Sequence, residues 1–147
     1  MKILCFVQND DGAVNPVSKE AIALSQELKT KLNGELDILT FNQEISTELN
    51  NYESNNLLIG NNSELANYNP LFYTSAVEYI INTNNYDLII LGHTYQARDW
   101  VPRLSARKDI PFISDCIDYT IEDNSIEWIR SLYRAKINSQ LKSKSKQ

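Results

Sequence analysis

Four short apolar runs, separated by two Asn-Pro pairs, constrain this chain most. Lys2–Gln8 (KILCFVQ), Leu36–Phe41 (LDILTF), Asn56–Gly60 (NLLIG) and Asp87–Gly92 (DLIILG) have the length and composition of strands. Asp87–Gly92 is the most apolar and is expected at the sheet centre, buried on both faces as parallel strands are. Asn15-Pro16 and Asn69-Pro70 read as helix starts, with Asn capping and Pro at the first helical position. The first helix carries Ala21, Leu24, Ser25, Leu28 and Leu32 at helical spacing and stops at Asn33-Gly34. A short helix is expected around Ile45 and Leu49. The second long helix, Leu71–Ile81, carries Phe72, Ala76, Tyr79 and Ile80 on one face. A third covers Arg98–Arg107, with Pro102 in its first turn or kinking it. Beyond Pro111 the pattern changes. Phe112–Ile121 and Ile126–Leu132 flank the turn Glu122–Ser125 and predict an antiparallel hairpin, with one more strand over Ala135–Leu141. The expected class is α/β, a mostly parallel sheet with helices on both faces and an antiparallel C-terminal hairpin.

Glycine narrows the chemistry. Gly12, Gly34, Gly60 and Gly92 are the only four glycines in 147 residues, and each stands alone. A dinucleotide fingerprint or a P-loop needs clustered glycines, so neither phosphate cradle can be built. One histidine and two separated cysteines exclude a four-ligand zinc site. Cys5 and Cys116 lie in apolar runs and read as buried free thiols. No run reaches the ~18 apolar residues of a membrane span, and Lys2 precedes only five apolar residues. These features place the chain in cytoplasm or an organelle matrix.

Charge is unevenly spread. Residues 1–97 hold 4 basic and 12 acidic residues, net −8, whereas residues 98–147 hold 10 and 7, net +3. The total of −5 disfavours nucleic acid as a partner. The basic tail reads as a solvated end or as a docking segment.

The densest polar cluster, Gly92–Asp99 (GHTYQARD), comes directly after the fourth apolar run. Open α/β sheets bind ligands at that carboxyl edge. His93 could act as a base or anchor. Equally, His93 and Thr94 could cap the next helix while Arg98 pairs with Asp99 or a sheet-edge carboxylate. Arg103 and Arg107 are four apart and share a helix face, either a basic docking face or a solvated one. Trp100 reads as core. Asp115 and Asp118 are three apart, which on a strand points them to opposite faces, so a paired-carboxylate site is not expected. No nucleophile set accompanies the lone histidine, and the chain is not expected to be an enzyme.

Taken together, Gly92-His93-Thr94, Arg98-Asp99, Pro102–Ala106 (PRLSA), Ser114-Asp115, and Arg130 with Tyr133 resemble the alpha subunit of electron transfer flavoprotein. The opening Asn15–Ala21 (NPVSKEA) matches as well. The resemblance runs from about Lys2 to Tyr133 and is to the N-terminal domain of a subunit about twice this long. It implies a nucleotide-hydrolase-type α/β domain that no longer binds nucleotide. It also implies that FAD is held mainly by a C-terminal domain, that an electron transfer flavoprotein beta subunit completes a heterodimer, and that the assembly takes electrons from flavin dehydrogenases to a quinone reductase. On this reading residues 1–134 form the domain and 135–147 lead away from it. His93, Thr94, Arg98 and Asp99 are motif positions expected to brace the sheet edge. Arg103, Arg130 and Tyr133 are expected near the domain junction. Ala97, Ser131 and Arg134-Ala135 depart from the family pattern. The alternative is a stand-alone nucleotide-binding domain related to universal stress proteins, with its ligand near Val7–Asp10 and Gly92–Tyr95.

Overall fold

The computed structural model describes residues 1–123, 125–132 and 137–143. Four parallel strands form the central sheet: β1 (Lys2–Val7), β4 (Glu35–Thr40), β5 (Asn56–Ile59) and β6 (Leu88–Leu91), in the order β5-β4-β1-β6. A two-residue ribbon, β2 (Asn9–Asp10) with β3 (Ala13–Val14), comes after β1. It turns through Asp11 and Gly12, both at positive φ, as a tight hairpin requires. Helix α1 spans Pro16–Lys31, α2 Ser46–Leu49, α3 Pro70–Asn84 and α4 Tyr95–Lys108.

Side chains alternate across the sheet and build two cores. Ile3, Cys5, Val7, Leu36 and Ile38 face α1, meeting its Ala21, Ile22 and Leu28. Leu4, Phe6 and Leu39 face α3 and α4, meeting Val77, Ile81, Trp100 and Leu104. Both Asn-Pro starts behave as capped N-termini. Asn15 Oδ1 accepts from the Val17 and Ser18 amides, and Asn69 Oδ1 from Leu71 and Phe72. The α/β class with helices on both faces is observed. Trp100 is core as expected, at 1% exposure.

Three expectations are corrected. First, β6 is an edge strand and not the sheet centre; of Leu88–Leu91 only Ile90 is buried. The chain lays β4 and β5 on one side of β1 and crosses back to place β6 on the other. An apolar run alone does not distinguish centre from edge. Second, α3 buries Thr74, Val77 and Ile81; of the expected face, Ala76 and Ile80 pack against the core, while Phe72 at 40% and Tyr79 at 71% stay exposed. Its only charged residue is Glu78, so the sequence offers more than one apolar stripe. The inward stripe places Thr74 against α4, with Oγ1 3.4 Å from Trp100 O. Third, Cys116 is exposed, while Cys5 is buried and its thiol is pushed up to about 12 by desolvation.

Pro102 is the eighth residue of α4, beyond the first turn, because the helix, capped by Thr94, starts at Tyr95, three residues earlier than expected. After α4 comes a separate antiparallel sheet: β7 (Cys116–Glu122), β8 (Ser125–Leu132) and β9 (Ile137–Lys142). The hairpin expectation holds. However, its first strand begins at Cys116 and not Phe112, since Pro111 has no N–H and Asp115 adopts φ 57°, which breaks an extended ladder. Tyr119, Ile121, Ile126 and Trp128 pack against the α1-side core. Lys31 Nζ lies 2.9 Å from Tyr119 OH and 5.0 Å from the ring centre, fastening this sheet to α1. Residues 133–136, including Ala135 of the expected last strand, lie outside the described residues.

The packing of α3 is directly testable. Val77→Ala is expected to lower stability by about 1–3 kcal/mol, and Tyr79→Ala to stay within about 0.5 kcal/mol of the parent, by urea denaturation.

Candidate functional site

Open α/β sheets bind ligands where strand order reverses. Here that point lies between the carboxyl ends of β1 and β6, and the chain fills it with its own side chains. Thr94 Oγ1 donates to Gln8 Oε1 at 2.6 Å, spanning the crevice. The same hydroxyl accepts from the Ala97 amide at 3.1 Å and so caps α4. On the other wall the Gln8 amide donates to Ser18 Oγ, and the Asn15 amide to the Gln8 carbonyl, each at 3.0 Å. Asp10 accepts from both the Gln8 and Asn15 side chains. Gly92 presses on the first turn of α1. A Cβ there would stand 3.0 Å from both Ser18 N and Val17 C. The α1 amides that might meet an anion are already taken by Asn15.

The remaining motif residues form separate pairs. His93 Nδ1 lies 2.7 Å from Asp115 Oδ1. Arg98 does not pair with Asp99; it stacks over Tyr95, 5.8 Å from the ring centre. Asp99 instead accepts from Tyr68 OH at 2.8 Å and from Arg103 Nη2 at 3.2 Å. Burial, with Asp99 accepting from it, pushes the Tyr68 hydroxyl upward. Arg107 reaches Glu78 at 3.1 Å and Ser75 at 3.2 Å. The shared Arg103/Arg107 face is therefore largely neutralised by Asp99 and Glu78. Arg130 sits in β8 opposite Cys116 and Ser139, and its Nε is buried without a hydrogen-bond partner among the described residues. Tyr133 lies outside the described residues.

Sequence reasoning placed Gln8 in the Val7–Asp10 edge and Ser18 in the Asn15–Ala21 match without giving either a partner, and it missed Tyr68. A polar residue closing an apolar strand was a readable signal for Gln8. Tyr68, 31 residues from Asp99, gave none.

A second concavity of about 480 Å³ runs along the free edge of β6. Trp100, Val101 and Leu104 wall one side and Val17 and Leu24 the other, with Glu20, Asp115 and Asp118 among its polar residues. Gln8, Thr94 and Gly92 occupy the switch point, and the groove along β6 carries the carboxylates of Glu20, Asp115 and Asp118. Among the described residues there is no cluster able to hold a metal, and no helix long and apolar enough to cross a membrane.

These features define an α/β domain with a four-stranded parallel sheet flanked by helices and a separate three-stranded antiparallel sheet. The model of the electron transfer flavoprotein domain matches residues 3–147, and the chain belongs to that family. It is 28% identical over 138 residues to the electron transfer flavoprotein subunit alpha of Bacillus subtilis (strain 168), covering 92% of this chain and 42% of the relative. The subunit alpha of Clostridium acetobutylicum is 27% identical over 126 residues, 82% of this chain and 38% of the relative. Protein FixB of Clostridium saccharobutylicum is 24% identical over 125 residues, covering 82% and 37%. The chain thus spans about two fifths of the length of these curated relatives.

The seal is testable by mutation. Gly92→Ala forces a backbone shift and is expected to cost about 1–3 kcal/mol. Thr94→Val removes both the cap and the bridge to Gln8 and is expected to cost about 1–2 kcal/mol. Thermal or urea unfolding measures both.

Proposed function

We propose that this chain is the N-terminal scaffold and subunit-interface domain of an electron transfer flavoprotein alpha subunit. The observation that carries the proposal is the sealed switch point of a domain in this family. The position where the fold would hold a nucleotide is occupied by Gln8, Thr94 and the first turn of α1. On this reading the domain supplies a rigid surface and no reaction chemistry. FAD is held mainly by a separate C-terminal domain, and the chain alone does not retain it. An electron transfer flavoprotein beta subunit completes a heterodimer, which carries electrons from flavin dehydrogenases to a quinone reductase.

Several features support a scaffold role over catalysis. His93, the sole histidine, is paired with a carboxylate and not with a nucleophile. Asp99 pairs with Arg103 within α4 and Glu78 of α3 with Arg107, and paired guanidinium groups keep donors for a partner's carboxylates. His93, Thr94, Arg98 and Asp99 brace the sheet edge in this account, while Arg103, Arg130 and Tyr133 lie toward the junction and partner. The universal-stress-protein reading has no observation in its favour.

The test is assembly. Mixed with a beta subunit of the same family, the chain is expected to co-elute as a 1:1 complex in size-exclusion chromatography. Arg103→Glu with Arg107→Glu is expected to weaken that complex at least ~10-fold, with circular dichroism confirming the fold. A parent chain that elutes alone contradicts the interface role. A complex indifferent to the double variant moves the interface off α4.

A further inference from the structure

Strand β8 carries an arginine that the rest of the chain leaves without a partner. Among the described residues Arg103 pairs with Asp99, Arg107 pairs with Glu78, and Arg98 stacks on Tyr95. Arg130 has neither an ion pair nor a hydrogen bond among them, and its Nε is buried. A buried guanidinium donor without an acceptor is destabilising, and native chains leave few of them.

The ladder shows why this sheet supplies no acceptor. Side chains alternate across a sheet, so Trp128, Arg130 and Leu132 share one face of β8. Trp128 packs against the α1-side core, with Tyr119 opposite it on β7. In the next row Arg130 stands between Cys116 of β7 and Ser139 of β9. The Cys116 thiol, pushed up by desolvation, stays neutral and directs its hydrogen to the Ile113 carbonyl at 3.7 Å. The row after that is Leu132 opposite Ile137, with Ile137 at 54% exposure. The neighbouring carboxylates are engaged elsewhere. Glu127 and Asp118 belong to the opposite face, where Glu127 accepts from Gln140, and Asp115 is held by His93. Arg130 is therefore a cation without a counter-charge, bordered by covered Trp128 on one side and by uncovered Ile137 on the other.

We propose that Arg130 anchors a docking surface on the antiparallel sheet, where it receives a carboxylate side chain of a partner subunit whose apolar residues cover Leu132 and Ile137. Charge complementarity selects the carboxylate: residues 98–147 carry a net +3, and the planar guanidinium fork matches a carboxylate through two parallel hydrogen bonds. The apolar pair beside it selects a protein surface over a free anion, since an arginine set among apolar groups has the composition of an interface hot spot. The partner is identified as a beta subunit through the proposed function, on which this inference rests. It adds a contact on β8 to the one proposed for Arg103 and Arg107 on α4.

Stability and assembly test it together. Arg130→Met keeps the packed stem and removes the donors. On the chain alone it is expected to raise Tm by about 2–4 °C in differential scanning fluorimetry, because it relieves an unsatisfied donor. In binding to a beta subunit of the same family, read by isothermal titration calorimetry, the same variant is expected to lose at least ~10-fold in affinity. A Tm that falls or stays unchanged shows Arg130 satisfied within the chain and overturns the inference. A raised Tm with affinity equal to the parent's overturns the carboxylate contact and leaves the proposed function standing. A parent chain that does not bind the beta subunit overturns the proposed function and this partner with it. Stabilisation by inorganic phosphate that is lost in Arg130→Met makes the site one for a free anion and overturns the docking claim.

Discussion

Asp37 is a carboxylate at 2% exposure near the amino ends of the parallel strands, and its partners come from β1, β5 and the segment that leads into β6. Its own strand is β4. Asn56, at the start of β5, donates to Oδ1 at 2.7 Å. Tyr86, two residues before β6, donates its hydroxyl to Oδ2 at 2.7 Å. Lys2 of β1 places Nζ 3.7 Å away and over the Tyr86 ring. A buried charge is tolerated only when so partnered, and removing one partner leaves an uncompensated ion. The amino ends of all four strands are thereby fixed relative to one another. Burial and the Asp37 carboxylate together push the Tyr86 hydroxyl upward, keeping it a donor.

With the amino ends fixed, the carboxyl ends have one arrangement. Phe6 and Leu91 are the last pair of the β1–β6 ladder, and residues beyond them meet across the crevice as Gln8 and Thr94. The carboxyl edge between β1 and β6 is thereby given to internal hydrogen bonds. Family membership and a sealed crevice are thus compatible. The sealed domain presents helices α3 and α4 and an antiparallel sheet outward, surfaces suited to holding other pieces in place.

Much of the architecture was legible in the sequence. The Asn15-Pro16 and Asn69-Pro70 starts are local signals with one physical meaning, and both cap as read. The Glu122–Ser125 turn likewise fixed the hairpin. What was not legible depended on contacts distant in sequence. Nothing in DLIILG tells which side of β1 it joins. Nothing in α3, with a single charge, tells which apolar stripe faces Trp100. At the candidate site the motif residues His93, Thr94 and Asp99 could be named, but their partners Gln8, Asp115 and Tyr68 came from three other segments. Arg98 and Asp99 looked like a pair only because they are adjacent, and adjacent helical residues do not face each other.

The central claim is that the switch point is closed to nucleotides by the chain itself. Differential scanning fluorimetry of the purified chain with FAD, ATP and AMP at millimolar concentration tests it most directly. A ligand at ~100-fold its dissociation constant adds about 2.7 kcal/mol of apparent stability, a rise of several degrees for a domain of this size. The account predicts no shift with any of the three. A saturable rise with any of them, abolished by substitution at Gln8 or Thr94, would contradict it.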